Sequence, residues 1–600
     1  MKPLFIVAVL CTALVLGWLL LPVPESSGPA NVHTGNATTA APANDFTLRA
    51  DRVFTGNEWL EPGLVEVREA RISRVGNDFE PDPMLPLVEL GDRTLLPGLI
   101  DAHVHVWGSA LVDALNFGVT TVLDQANDAA SIATLRHSGM GAQLFSSGPP
   151  ATAPGGHGTQ YGYTPPPVSG PEDAVGFART IHGLGSHWMK IIIERGMGNW
   201  QVPSLDRDSV AALVVAAEEV GLMPVAHVSE LEAAHWAMAA GAHGLVHIFA
   251  DKPVDQPLLE LMAAEDRFVI PTLVVLESIA GTAAVDTDDD ERVTPWLSGE
   301  QRNSLAQRWP GPRNPVLRQR VIANTRAMHE AGIAILAGSD APNPGTAHGL
   351  SLHHELAVLV EAGLSPSAAL AAATALPARF FGLNDRGLLE PGRRADLLVV
   401  DGNPREDISA TLAIHAIWQG GQPMARIQAA AVTSAEVPAH GRLSAFRPDA
   451  AEAGFGFGWA ETDDQMAGGN STVDMQSEGD ETLAWIRLHG EIRSGFGWPW
   501  AGVMFSPGDT PMAPVDLSAF GTLRFQARGR PAELRILAFS PALGSMPATQ
   551  TVRIGTDWQA FELDLAGFAG ADPAAISGLV FAAGPDLGEF EFDLADVHLD

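Results

Sequence analysis

Leu99-Ile100-Asp101-Ala102-His103-Val104-His105 is the stretch on which the fold turns. Its apolar positions carry no helical period and end at two histidines two residues apart, so it reads as a strand buried on both faces. Side chains at i and i+2 of an extended segment point to the same side, which lets both imidazoles face one metal ion at the strand's C-terminal end. An isolated His-x-His also arises from two ordinary hydrogen-bonded polar side chains, so its weight depends on what the rest of the chain brings to it.

Outward from that strand the pattern repeats. Short apolar runs at Val119 to Leu123, Gln143 to Ser146, Trp188 to Ile193, Met223 to Ala226, Gly244 to Ile248, Phe268 to Thr272 and Ile333 to Ala337 are each followed by an Ala-rich helical stretch. Strands alternating with helices over residues 98–384 predict an α/β architecture, a closed (β/α)8 TIM barrel. In such a barrel the C-terminal strand ends converge on one face. Lys190, His227, His247 and Asp340 stand at or just beyond those ends and are therefore expected to join His103 and His105 in one pocket. Nitrogen and oxygen donors without thiolate suit Zn²⁺ or a similar divalent ion. The plainer reading of Lys190 is a strand-end lysine in an ion pair.

The flanks read differently. Alternation in Thr47-Leu48-Arg49, Leu64 to Arg68 and Ile72 to Val75, broken at Gly56 and Pro62-Gly63, predicts short strands in 45–97. After Pro391-Gly392, Ala395 to Asp401 and Ala413 to Ile427 return to strand character, so 45–97 and 385–435 are expected to form one composite small β-sandwich. From Phe446 helical periodicity vanishes and alternating runs recur, which predicts an all-β, jelly-roll-like sandwich over 446–600.

Of the 600 residues 46% are hydrophobic, which excludes a mostly disordered chain. The 36 Lys and Arg against 71 Asp and Glu give a net charge of −35, leaving no basic stripe to neutralise phosphates, so no nucleic-acid partner is expected. Lys2 precedes an uncharged run over 4–21, followed by Pro22, Pro24 and a Ser/Gly/Pro/Ala/Thr-rich stretch. Residues 1–22 thus read as a signal peptide or membrane anchor and 23–44 as a linker. The rest is expected to be exported, either periplasmic or held at the inner membrane through 4–21 and facing outward. Cys11 is the sole cysteine, so the exported part has neither disulfide nor thiolate metal site.

With these residues in view, the chain resembles the amidohydrolase superfamily of metal-dependent barrel hydrolases, over Phe46 to Met424. The likeness rests on Leu96-Pro97-Gly98-Leu99-Ile100-Asp101-Ala102-His103-Val104-His105, Gly118-Val119-Thr120-Thr121, Lys190, His227, His247, Gly338-Ser339-Asp340 and Glu390 to Leu397. Within the superfamily it is most similar to the imidazolonepropionase-like enzymes and the Xaa-Pro or Xaa-Arg dipeptidases. The resemblance implies that His103, His105 and Asp340 hold one metal, that His227 and His247 hold a second, and that Lys190 bridges them as a carbamate formed with CO2. A water between the two metals would become the nucleophile, and Asp340 would take its proton and pass it to the leaving amine. The implied activity is hydrolysis of a C–N bond in an amide or short peptide.

Three further features bear on that reading. His157 lies in Pro154-Gly155-Gly156-His157-Gly158, with Tyr161 and Tyr163 close behind. Relatives carry a Gly-His-Gly loop here, which implies that His157 meets the substrate or its oxyanion, and Tyr161 is a candidate beside it; the alternatives are a plain surface loop and a packing cluster of the two tyrosines. His227-Val228-Ser229-Glu230 is similar to the His-x-x-Glu of one-metal deaminases, so a one-metal deaminase or cyclic-amide hydrolase is the rival reading within the superfamily, although Glu230 also suits an ordinary acid at a helix N-terminus. His243, His348, His353 and His354 read as structural or surface residues. Trp459 to Gly469 resembles the start of the galactose-binding-like domain of complex I intermediate-associated protein 30, and Trp498 and Trp500 are candidates for stacking on a glycan. A rival from another class is therefore an inactive barrel serving a glycan- or surface-binding protein.

Overall fold

The computed structural model describes residues 45–159, 165–196, 201–282, 290–309, 312–428, 437–464, 471–480, 482–493, 499–530, 532–540 and 547–600. The apolar run 4–21, the linker to 44, Tyr161, Tyr163 and Trp498 lie outside them. Among the described residues no helix is long and apolar enough to cross a membrane.

The first strands are β1 (Phe46–Phe54), β2 (Trp59–Leu60), β3 (Gly63–Arg68), β4 (Arg71–Gly76) and β5 (Leu87–Pro97). They combine with three late strands, β14 (Leu397–Val400), β15 (Ile414–Gln419) and β16 (Gln422–Met424), in the order β16-β15-β14-β5-β1-β3-β4, with β2 on β1. The two flanking segments do come together, but as one eight-stranded sheet and not as the expected composite sandwich. The reason is register: β14 pairs antiparallel with β5, from Leu397 opposite Pro97 to Val400 opposite Thr94, so both segments extend a single ladder. Pairing over so long a sequence separation leaves no trace in local alternation.

Beyond β5 come eight parallel strands: β6 (Leu99–Val104), β7 (Val119–Asp124), β8 (Gln143–Ser146), β9 (Trp188–Ile193), β10 (Met223–Val228), β11 (Gly244–Val246), β12 (Phe268–Ile270) and β13 (Ala334–Ile335). They form one sheet ordered β6-β7-β8 and another ordered β13-β12-β11-β10-β9. Single parallel bridges join the two sheets at both ends, Ala151 with Ile191 and Val104 with Ala341. Strands β6, β7 and β9 are buried at every position, as runs covered on both faces must be. Their helices start where the sequence supplies caps. Asp128, Asp206 and Asp255 accept amide hydrogens at the heads of Ala129–Ser138, Arg207–Glu219 and Gln256–Ala264. Inside, Ile100, Leu123, Trp188, Val225, Phe268 and Leu336 share one apolar cluster.

Strands β11 and β13 end earlier than their apolar runs suggest. His247 leaves the ladder at φ 69° and Asp340 follows β13 at φ 53°, so the backbone turns left-handed where the two side chains are presented. Non-glycine residues held there are strained and collect at functional sites.

Residues after 446 form two five-stranded antiparallel sheets. One contains Gly458–Asp463, Ala501–Ser506, Gly578–Ala583, Ala532–Phe539 and Ala548–Ile554; the other contains Thr472–Gly479, Ala484–Ile492, Gly588–Leu599, Thr522–Gly529 and Gln559–Asp564. Alternate residues from both, among them Ile486, Leu488, Val503, Phe505, Phe525 and Leu594, share a single core. Trp500 packs on a smaller cluster with Leu537, Val580 and Ala582.

Candidate metal centre

His103, at the end of β6, is fully buried, and His105 follows just beyond the strand. Asp340 comes to them from the segment after β13. His103 Nε2 and His105 Nε2 each stand 3.2 Å from Asp340 Oδ1. Lys190, on β9 and 2% exposed, brings Nζ to 3.4 Å from His103 Nε2. The rings of His103 and His247 have centroids 4.6 Å apart, and those of His247 and His227 are 4.5 Å apart. His247 Nδ1 lies 4.0 Å from Asp340 Oδ2. The six side chains expected to converge are therefore contiguous, although they come from five different strands or the segments that follow them.

The donor set fits a cation. Asp340 Oδ1 is buried and has no hydrogen-bond partner, as is His103 Nδ1. A buried carboxylate oxygen left unpaired between two imidazoles is costly unless a positive charge fills the gap. His103, His105 and Asp340 meet the geometry of a metal-ligating trio.

Neighbouring groups fix which ring nitrogen is free. His105 Nδ1 lies 3.3 Å from the Ala126 carbonyl, which can only accept, so in a neutral ring, the form that ligates, Nδ1 carries the proton and Nε2 the lone pair. Thr272 Oγ1 donates to the Pro271 carbonyl at 2.8 Å and so accepts from His247 Nδ1 at 2.7 Å, freeing His247 Nε2. Thr272 is itself left-handed, φ 51°, an unusual state for a β-branched residue.

Beneath the site, Asp101 ties β6 to the Asp340 segment. Its Oδ1 accepts the His103 N–H at 3.2 Å and the Ser339 N–H at 3.0 Å, and its Oδ2 accepts the Ser339 hydroxyl at 2.6 Å. Burial pushes the Asp101 carboxyl up to about 7 in spite of those bonds. Burial also lowers the Lys190 amine to about 8 and carries His103 and His247 well below the ordinary imidazole range. A neutral amine is the form that combines with CO2, and a neutral imidazole is the form that ligates.

The remaining candidates divide. The His157 ring packs 5.0 Å from His227, and burial lowers its imidazole to about 3. Tyr161 lies outside the described residues. Glu230 precedes the helix Leu231–Ala240, and its side chain turns to Arg195, whose Nη1 donates to it at 3.1 Å and to Glu232 at 3.0 Å. His348 is buried and donates from Nε2 to the His105 carbonyl at 2.9 Å. His353 is held between the Phe117 carbonyl and Thr411. Sequence reasoning missed Asp101, Glu194 and Thr272. The only sequence signal for any of them is a polar residue set inside or at the end of an apolar run.

Comparison with known proteins follows the same outline. The Amidohydrolase family profile matches residues 94–428, more than half of the chain. An imidazolonepropionase of Rhodococcus jostii is 26% identical over 240 residues, 39% of this chain and 47% of that protein. One from Deinococcus deserti is 39% identical over 100 residues, 16% of this chain and 25% of that protein. The chain thus spans between a quarter and about half of the length of these relatives. Among solved structures, a Xaa-Pro dipeptidase with bound methionine superposes with a TM-score of 0.53 at 22% identity, covering 64% of this chain and all of that one, a likeness of fold. With its His-His-Asp cluster, the chain belongs to the amidohydrolase family, a family of metal-dependent hydrolases.

Proposed function

We propose that this protein hydrolyses a C–N bond of a small amide or short peptide at a centre of two divalent ions, on the mouth of a closed (β/α)8 barrel built from β6 to β13. The observation that carries the proposal is the buried, unpaired Asp340 Oδ1 between two imidazole nitrogens, with Lys190, His247 and His227 packed in series behind it. His103, His105 and Asp340 would hold one ion, His227 and His247 the other, and Lys190, carboxylated by CO2, would bridge them. Zn²⁺ suits these donors. When bound, the ions supply Lewis-acid polarisation of the scissile carbonyl and activation of water.

The protein's own groups do the rest. Asp340 takes a proton from the attacking water and returns it to the departing nitrogen. His157, beside His227, donates toward the oxygen on which charge develops, with Tyr161 as its expected companion. The deaminase reading has less support, because Glu230 is engaged by Arg195. The test is a panel of dipeptides and N-acyl amino acids offered to metal-loaded and chelator-stripped protein. Hydrolysis by the loaded form alone is expected; equal turnover by both would refute the proposal.

We keep the division into 45–97 with 385–435, 98–384 and 446–600, and export through 1–22 with periplasmic or outward-facing membrane placement, which cell fractionation checks. For 446–600 the galactose-binding-like reading rests on the sequence resemblance of its opening motif alone, and a glycan pull-down with the full chain tests it.

A further inference from the structure

Glu194 lies one residue beyond β9, directly after Ile191-Ile192-Ile193, where the apolar run gives no reason for a carboxylate. It is only 6% exposed. A charge so placed is costly unless its lone pairs are filled. Both oxygens are filled: Oε1 accepts the Gly196 N–H at 2.6 Å, and Oε2 lies 3.3 Å from His227 Nε2. The neighbouring cation is not available to it, since Arg195 is taken up by Glu230 and Glu232.

A neutral imidazole carries one proton, and a carboxylate only accepts. The proton of His227 therefore sits on Nε2, and the ring's free lone pair is on Nδ1. At His247 the order is reversed, because Thr272 Oγ1 accepts from Nδ1–H and leaves Nε2 free. These two rings stand 4.5 Å apart between centroids, so neighbouring imidazoles present unlike nitrogens.

We propose that Glu194 is a positioning residue for the second ion: it holds His227 in the tautomer that offers Nδ1, and the loop amide at Gly196 holds Glu194 in turn. This role rests on the two-ion reading given above. Carboxylate partners of ligating histidines orient the ring and raise its basicity, and their loss weakens metal binding by about 10–100-fold.

The test uses the full chain, stripped of metal and titrated with Co²⁺, reading both stoichiometry and visible absorption. In Glu194→Leu the ion held by His103, His105 and Asp340 should bind as in the wild type. The second ion should bind about 10–100-fold more weakly, with an altered absorption band. Glu194→Gln keeps an oxygen that accepts from Nε2–H and should recover most of that loss, a rescue that space filling alone would not give. If Glu194→Leu does not fold, Glu194→Asp makes the same comparison by withdrawing the carboxylate one methylene, and should also weaken the second ion. A second ion bound equally tightly by wild type, Glu194→Leu and Glu194→Asp overturns the role of Glu194 and leaves the two-ion reading standing. A wild-type chain that takes up a single ion overturns both.

Discussion

At Asp340 the backbone is left-handed, the side chain is buried, and one carboxylate oxygen is held 3.2 Å from each of two imidazole nitrogens. Strain and an unpaired charge together are retained where function requires them. On the proposed mechanism Asp340→Asn keeps an oxygen for the cation but removes the base, so kcat should fall about 10²–10⁴-fold with metal content largely kept; elemental analysis beside turnover checks it. Thr272→Val deletes the acceptor of His247 Nδ1–H while preserving shape. It should weaken the proposed second ion by about 10–100-fold, measured by competition with a chelator. The meeting of the six side chains was legible because His103, His105, His227, His247 and Asp340 stand near or beyond the ends of parallel strands, with Lys190 within β9. Thr272, Glu194 and Asp101 were not, because a hydrogen-bond partner is set by tertiary approach and their residue types occur throughout the chain.

Between elements, the closest approach that matters is Gly338 against β6. A Cβ at Gly338 would lie 2.8 Å from His103 Cβ, 2.9 Å from His103 N and 2.6 Å from Ile270 Cγ2. Gly338→Ala must therefore push β6 from the Asp340 segment and should cost about 1–3 kcal/mol, with weakened binding of the first ion. Thermal melts with and without metal measure both effects. Strand positions were readable from apolar runs and their helices, and all eight parallel strands fall where the alternation predicts. Strand ends were less readable: β11 stops at the left-handed turn at His247, and β13 is only Ala334–Ile335. That the two flanks join was readable; that they join in a single sheet was not, because the register of β14 on β5, segments some 300 residues apart, leaves no local trace.

For the whole molecule, buried histidines contribute to the loss of stability in acid. Burial lowers His353 to about 4 from an unfolded value near 6.5. The unfolded chain then binds the extra proton between those values, so this contribution is complete above pH 6.5 and is lost as pH falls toward 4. The metal-free protein should melt at steadily lower temperature across that window, and His353→Gln should flatten the slope. The central claim, two ions on six side chains with Lys190 between them, is tested most directly by counting divalent metal per chain in the wild type and in Lys190→Ala. Two ions in the former and no more than one in the latter is the predicted result; equal occupancy in both, or one ion in the wild type, would contradict it.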